Sequence, residues 1–284
     1  MDLLRLTRPV DVILFLAAAA VGGALVGGGA AFEGEALGRL LLAMLSATLV
    51  GAGSNVVNDL YDAEIDRVNS PHRPLASGAV APEAAWAFWG ALSVGGVVLG
   101  ALVSPLHAAV SAGSVALLWT YSAWLKGTVL LGNLTVGAVI ALGVVFGGLA
   151  VGPPTAALWA GAALGGWVTF SREIVKDVHD VEGDRAGGAV TLPLAWGERR
   201  ATGLAVGCVG AALVAYPAAA GAVGAGWYVW GLPLAGCLLA AGWVLGAALA
   251  AGAPLAEPSV RASRWLKVGL AVGIVGLVVT RLGA

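Results

Sequence analysis

The chain has 284 residues, of which 59% are hydrophobic and 11% are charged, and its formal net charge is -1. Soluble domains carry about 25% charged residues, so this composition excludes a water-soluble globule and indicates a polytopic membrane protein. The near-neutral charge also excludes a nucleic-acid partner, which requires a basic face.

Nine apolar runs are long enough to cross a bilayer, which takes about 20 mostly apolar residues. We therefore predict an all-α bundle of nine transmembrane helices in a single domain over residues 1–284. Acidic segments after the second and sixth helices suggest a loose repeat of helices one to four and five to eight, with helix nine appended. The runs cover residues 9–31, 37–57, 84–104, 106–124, 129–151, 155–175, 201–222, 226–251 and 262–283.

The basic residues are distributed unequally between the two membrane faces. Thirteen of the 15 lie in the N-terminal segment or in the loops after helices two, four, six and eight. Because basic loops stay on the cytoplasmic side, we predict an integral cell-membrane protein with its N-terminus and these loops in the cytoplasm.

The acidic segment after the second helix places oxygen-bearing side chains at a helical spacing. Asn58, Asp62 and Asp66 are four residues apart, so they share one face if the helix continues past the bilayer core. Carboxylates stacked in this way repel each other near lipid unless a cation is bound. Oxygen ligands favour a hard divalent cation, magnesium or calcium.

The segment after the sixth helix repeats this pattern beside basic residues. Glu173, Asp177, Asp180 and Asp184 fit one helical face, and Gly183 is expected to end the helix. Cations on a neighbouring face, Arg172 and Lys176, suit phosphate oxygens. Since magnesium prefers one or two carboxylates together with substrate phosphates, the two segments predict a diphosphate ligand.

These motifs resemble those of the UbiA superfamily of intramembrane prenyltransferases. The stretch from Asn58 to Gly78, N-D-L-Y-D-A-E-I-D-R-V-N-S-P-H-R-P-L-A-S-G, is similar to the first aspartate-rich motif of that family. The stretch from Lys176 to Asp184 is similar to the second motif. Further similarities are Tyr121-Ser122 with Lys126, Gly132-Asn133, Thr191–Leu194 and Arg8-Pro9, although Asp11 stands where an asparagine is common.

The resemblance implies transfer of a polyprenyl group from its diphosphate to an acceptor. Two Mg²⁺ ions would bridge the diphosphate. The donor tail would lie in an apolar cavity between helices, and no protein partner is implied. Asp62, Asp66, Asp180 and Asp184 would be catalytic through the metals. The implied metal ligands are Asn58, Asp62 and Asp66 for one ion, and Asp177, Asp180 and Asp184 for the other. The implied diphosphate contacts are Arg8, Arg67, Tyr121, Lys126 and Lys176.

The sequence from Arg172 onward, R-E-I-V-K-D-V-H-D-V-E-G-D, is similar to that of one archaeal branch of the family. Its members transfer geranylgeranyl from geranylgeranyl diphosphate to geranylgeranylglyceryl phosphate in ether-lipid biosynthesis. Such an acceptor carries a phosphate, which Arg172 or Arg73 would hold, and a hydroxyl, whose proton Glu173 would accept.

Two other functions remain open from the sequence. Within the family, the alternative is an aromatic prenyltransferase that acts on 4-hydroxybenzoate or a naphthoate in quinone biosynthesis. Outside enzymes, the alternative is a cation carrier with the acidic clusters as its ion path. Carriers usually place ionisable groups near the bilayer midplane, whereas these acids gather at one membrane face, which favours the enzyme.

Overall fold

A computed structural model describes residues 2–282, apart from the side chains of residues 10, 11, 68 and 69. Asp11 therefore lies outside the described side chains. Within this range the chain is helical, without strands. The nine long helices are α1 (Pro9–Gly27), α2 (Gly34–Asn69), α3 (Pro82–Val103), α4 (Pro105–Thr120), α5 (Leu131–Val151), α6 (Ala156–His179), α7 (Glu198–Val223), α8 (Leu232–Ala250) and α9 (Ala256–Leu282).

Short helical segments connect the long helices. They include one π-helix, which follows α4, and one 3₁₀ helix, which follows α1. The short segments are Asp2–Leu6, Gly28–Phe32 (3₁₀), Tyr121–Leu125 (π), Val181–Ala186, Leu192–Trp196 and Trp227–Trp230.

The all-α membrane fold is confirmed, and the count of nine spans holds approximately. In the part of the chain that the structure describes, eight helical segments are long and apolar enough to cross a membrane. The sixth predicted span, 155–175, lies in α6, which is 24 residues long but is not among these eight. Half of its residues are buried inside the bundle, so α6 needs less lipid-facing apolar surface than its neighbours.

Polar side chains satisfy backbone groups where helices begin in apolar surroundings. The Ser104 hydroxyl accepts a hydrogen bond from the His107 backbone N–H at 3.2 Å. At the start of α6, the Thr155 hydroxyl accepts one from the Leu158 N–H at 3.1 Å. These N-caps pair N–H groups that have no partner within the helix.

Close helix contacts explain part of the glycine content of the chain. A methyl group at Gly147 would lie 1.9 Å from the carbonyl oxygen of Ala19, so α1 and α5 touch through their backbones. A methyl group at Gly137 would lie 2.7 Å from the carbonyl oxygen of Gly166, which joins α5 to α6 in the same way. Small residues of this kind permit tight packing of membrane helices.

Candidate active site

The first acidic segment lies on a continuous helix, as its spacing predicts. Helix α2 has 36 residues and continues to Asn69, well beyond the predicted apolar span 37–57. Asn58, Asp62 and Asp66 therefore follow one another at one-turn intervals on the same face.

Cations from two other segments contact this face. Lys126, just after the π-helix, forms an ion pair with Asp62, and its Nζ lies 3.5 Å from Oδ1 of Asn58. Arg73, in the loop after α2, donates from Nη1 to Oδ2 of Asp66 at 2.6 Å. Both predicted aspartates of this segment thus have a basic partner.

Asp59 is a buried acid that the helical spacing did not select. Its side chain is 5% exposed and forms an ion pair with Arg8. Nη1 of Arg73 lies 3.5 Å from the same carboxylate. Since Arg8 lies 51 residues earlier in the chain, only the tertiary structure reveals this contact.

The π-helix directs Tyr121 toward both acidic segments. The backbone N–H of Lys126 donates to the carbonyl oxygen of Tyr121 at 3.0 Å, a five-residue step that widens the last turn of α4. The half-buried phenol lies within electrostatic range of Glu173, Asp177 and Asp62. Such π-turns are frequent at functional sites, and this one lies where the two acidic segments face each other.

The second acidic segment departs from its predicted geometry. Helix α6 ends at His179, before the expected end at Gly183, and Gly183 lies inside the short helix Val181–Ala186. Asp180 is the junction, with φ -91° and ψ 7°. The prediction of one helix that ends at Gly183 is therefore wrong, because the four acids belong to two helices, although Asp177 and Asp180 remain within electrostatic range of Asp184. The chain turns at Asp180, and Val181 becomes buried where a longer α6 would continue.

Side chains near the end of α6 form a hydrogen-bonded set. Asn133 of α5 donates from Nδ2 to Oδ2 of Asp177 at 2.7 Å. Arg172 donates to Oε1 of Glu173 at 2.7 Å, and Lys176 Nζ lies 3.8 Å from Oε2 of Glu173. Like the ion pair between Arg8 and Asp59, the bond from Asn133 to Asp177 is not predicted by helical spacing, although Gly132-Asn133 is part of the family motif.

The Asp184 carboxylate has an unsatisfied oxygen. Its Oδ2 is buried and makes no well-formed hydrogen bond, although the buried hydroxyl of Thr191, which has no other partner, lies near it and favours the charged carboxylate. Burial raises the pKa of this carboxyl above its ordinary value, and the charge of Asp180 acts in the same direction. An unpaired buried oxygen costs free energy, which a bound cation would remove.

Loops hold the two segments against each other. The backbone N–H of Val190 donates to the carbonyl oxygen of Gly127 at 2.8 Å. A methyl group at Gly187 would lie 2.8 Å from Cδ1 of Ile65, so the loop after the second segment packs on the end of α2. The two acidic segments and the Lys126 loop thus form one end of the bundle.

Arg67 does not join this group. Its guanidinium donates to Oε2 of Glu64 at 2.9 Å, and the two side chains are 59% and 82% exposed. The expected contact with a diphosphate therefore has no support from its position, because residue 67 points away from the face of Asp62 and Asp66.

The oxygen-rich side chains fit a hard cation but do not form a complete cage. Among residues 2–282, no three His, Cys, Asp or Glu side chains lie close enough to hold a metal ion by themselves. The buried Oδ2 of Asp184, which has no cationic partner, and the all-oxygen donor set nevertheless suit magnesium, which needs only one or two carboxylates when phosphates supply the remaining ligands.

An apolar cavity begins one helical turn from Tyr121. It lies between α1, α2, α4 and α5 and is small, with a volume of about 40 Å³. Its position between membrane helices places apolar side chains next to the acidic segments. Residues in its wall include Phe15, Val50, Ser114, Leu118, Leu142 and Phe146.

Comparison with known proteins connects this site to a family of enzymes. Digeranylgeranylglyceryl phosphate synthase of Halobacterium salinarum is 42% identical over 211 residues, 74% of this chain and 75% of the relative. The enzyme of that name from Methanopyrus kandleri is 36% identical over 283 residues, 98% of each chain.

Solved structures have the same architecture. One from work on digeranylgeranylglyceryl phosphate synthase in membranes has a TM-score of 0.81 and 26% identity, and it covers 100% of this chain and 98% of its own. A UbiA homolog from Archaeoglobus fulgidus, bound to GPP and Mg²⁺, has a TM-score of 0.71 and 19% identity over 98% of this chain and 99% of its own.

The family match covers most of the bundle, since residues 15–250 match the UbiA prenyltransferase family. With the eight apolar helices, this identifies an integral, multi-pass membrane protein. The predicted family is thereby confirmed: the chain belongs to the UbiA family and is a prenyltransferase.

Proposed function

We propose that this prenyltransferase transfers a geranylgeranyl group from geranylgeranyl diphosphate to the hydroxyl of geranylgeranylglyceryl phosphate and releases diphosphate. The observation that carries the proposal is the set of cations, Arg8, Arg73 and Lys126, on the acidic face beside Tyr121. The names of the two relatives support the acceptor. The homologs bound to GPP or DMAPP with Mg²⁺ support a prenyl diphosphate donor.

The basic side chains would stabilise the leaving group. As the C1–O bond of the donor breaks, the electron pair stays with the diphosphate, and C1 becomes an allylic cation. Arg8, Arg73, Lys126 and the half-exposed Lys176 place positive charge near the oxygens that gain negative charge. The apolar cavity keeps water away from C1 until the acceptor oxygen bonds to it.

Magnesium is the metal that the donor set favours. We assign one ion to Asn58, Asp62 and Asp66 and a second to Asp177, Asp180 and Asp184. When bound, such ions neutralise charge on the departing diphosphate. The chain contributes the oxygens and their orientation: Asn133 fixes Asp177, and Arg73 fixes Asp66.

Arg172 is the better of the two predicted residues for the acceptor phosphate. Arg73 already contacts both Asp59 and Asp66, whereas Arg172 contacts one carboxylate and has a buried Nε without a hydrogen-bond partner. Glu173, held by Arg172 and Lys176, would accept the proton that leaves the acceptor hydroxyl.

We also propose that this end of the bundle faces the cytoplasm, as the positive-inside rule indicates.

A competition between acceptors tests the reaction. Purified protein in nanodiscs with Mg²⁺ is given radiolabelled geranylgeranyl diphosphate together with geranylgeranylglyceryl phosphate and 4-hydroxybenzoate. We expect label in the glycerol lipid. Label only in the aromatic acid would replace the proposed acceptor by that of the quinone pathway, and no transfer to either would refute both.

A matched pair of variants tests the metal assignment. Asp180→Ala is expected to abolish Mg²⁺-dependent binding of inorganic diphosphate. Glu182→Ala, an exposed acid two residues away, is expected to leave binding and transfer unchanged. Equal binding in the two variants would contradict the role of Asp180.

A further inference from the structure

Three consecutive residues before α1 are each fixed to α2 by a different contact. Leu6 is fully buried in a small apolar cluster at the end of α2. The carbonyl oxygen of Thr7 accepts a hydrogen bond from Nδ2 of Asn55 at 2.8 Å. The guanidinium of Arg8 forms its ion pair with Asp59. The N-terminal segment is thus held against α2 at successive positions.

The backbone of Arg8 adopts a conformation that L-residues rarely use. Its φ is 50° and its ψ 73°, and among the described residues it is the only one other than glycine with a positive φ. A left-handed conformation of this kind costs free energy and persists where surrounding contacts impose it. Here it turns the chain so that Pro9 can begin α1 while the Arg8 side chain reaches Asp59.

Asp59 joins two arginines from distant parts of the sequence. Its carboxylate pairs with Arg8 and lies 3.5 Å from Nη1 of Arg73, while its own side chain is only 5% exposed. The two arginine side chains are 30% and 33% exposed, so part of each guanidinium remains accessible. Asp59 therefore fixes Arg8, and together with the 2.6 Å hydrogen bond to Asp66 it anchors one nitrogen, Nη1, of Arg73, so the other N–H donors of Arg73 can still contact a ligand.

We propose that Asp59 is a positioning residue that holds Arg8 and Arg73 for the diphosphate of the donor without touching the substrate itself. The proposal rests on the proposed function, which supplies a prenyl diphosphate as the donor. A buried ion pair adds little stability compared with apolar packing of the same volume. Its effect here is directional, because it determines where the guanidinium of a strained Arg8 points.

The substitution Asp59→Asn keeps the shape of the side chain and removes its charge. In the full-length protein in nanodiscs, we expect the affinity for inorganic diphosphate with Mg²⁺ to fall about tenfold or more. The donor KM should rise in parallel, while the acceptor KM and the thermal unfolding midpoint stay close to those of the wild type. Asp2→Asn, which breaks an exposed pair with Arg5, is the matched control and should change neither affinity nor KM.

A double-mutant cycle separates positioning from a general structural effect. If Asp59 acts through Arg8 and Arg73, then Asp59→Asn in an Arg8→Ala background should weaken diphosphate binding by a smaller factor than in the wild-type background, because only the contact with Arg73 is left to lose. A further loss as large as in the wild-type background would overturn the proposal, as would unchanged diphosphate affinity in the single variant.

A second variant covers the case in which Asp59→Asn does not fold. Asp59→Glu keeps the charge but displaces the guanidinium of Arg8 by the length of one methylene. We expect its donor KM to rise about threefold or more at constant acceptor KM, and an unchanged donor KM would overturn the proposal. Binding of inorganic diphosphate requires no acceptor, so an Asp59-dependent affinity without transfer to the glycerol lipid would refute the proposed function only.

Discussion

Replacement of Lys126 by methionine isolates the contribution of one cation to diphosphate binding. Lys126 forms an ion pair with Asp62, lies 3.5 Å from Oδ1 of Asn58, and has a side chain that is 29% exposed. Methionine has nearly the same length and shape, so the packing after the π-helix should persist while the charge is lost.

The size of the effect follows from the strength of a charge-assisted hydrogen bond. Such a bond contributes about 1.5–3 kcal/mol, and 1.4 kcal/mol corresponds to about a tenfold change in affinity. Loss of one bond from Lys126 to the diphosphate should weaken its binding about 10- to 150-fold. Binding of Mg²⁺ alone should not weaken, because Asp62 loses the lysine that competes with the metal.

Titration calorimetry on protein in nanodiscs, with inorganic diphosphate and with Mg²⁺ in separate experiments, measures both affinities. Lys267→Met, at an exposed position of α9, is the matched control and should stay within about twofold of the wild type. Our reasoning would be refuted by diphosphate affinity in Lys126→Met that matches this control, or by a loss of Mg²⁺ affinity in that variant.

Three further predictions concern groups around the site. Asn133→Ala should weaken Mg²⁺-dependent diphosphate binding about tenfold, measured by the same titration, because Asp177 loses the 2.7 Å bond that orients it; unchanged affinity would contradict this role. Glu173→Gln should lower kcat about a hundredfold at constant donor KM, measured by radiolabel transfer, if Glu173 accepts the acceptor proton; a higher donor KM with normal kcat would argue against it. Gly137→Ala should destabilise the protein by about 1–3 kcal/mol, because its methyl group meets a backbone carbonyl of α6 at 2.7 Å. Thermal unfolding tests this against Gly113→Ala, whose methyl group enters open space, and equal midpoints would contradict the packing argument.

The helical bundle was predictable because its main determinants are local. Apolar runs of sufficient length produce membrane helices whatever their partners are. The spacing of Asn58, Asp62 and Asp66 puts them on one face of any helix that contains them, and the structure supplies that helix, since α2 continues to Asn69. The end of α6 was not predicted correctly, because Gly183 lies inside the following short helix and the turn occurs at Asp180.

Contacts between distant segments could not be predicted in the same way. Asp59 lies three residues before Asp62 and seven before Asp66, so helical periodicity permits it on the same side of α2, but periodicity does not show that it is buried or which cation it pairs with. Its partner Arg8 belongs to a different segment, and no spacing connects the two. Arg67 shows the opposite case, because a basic residue close to the motif in sequence points to solvent and pairs with Glu64.

The two acidic segments differ in how far their charges are already neutralised, and this difference suggests separate roles. On α2, Asp59, Asp62 and Asp66 each contact an arginine or lysine. In the second segment only Glu173 contacts an arginine and a lysine, whereas Asp177 accepts a hydrogen bond from the neutral Asn133 and Asp184 has no basic side chain in contact.

A cation that enters the site without diphosphate should therefore meet less competition at the second segment. At the first segment, the Lys126 ammonium group pairs with Oδ1 of Asp62 and would compete with the proposed metal ion for that oxygen. The phosphate oxygens of the donor are the natural new partners for the released ammonium group. Donor binding would thus free Asp62 and engage Lys126 in the same step, which couples the assembly of the metal site on α2 to the presence of the substrate.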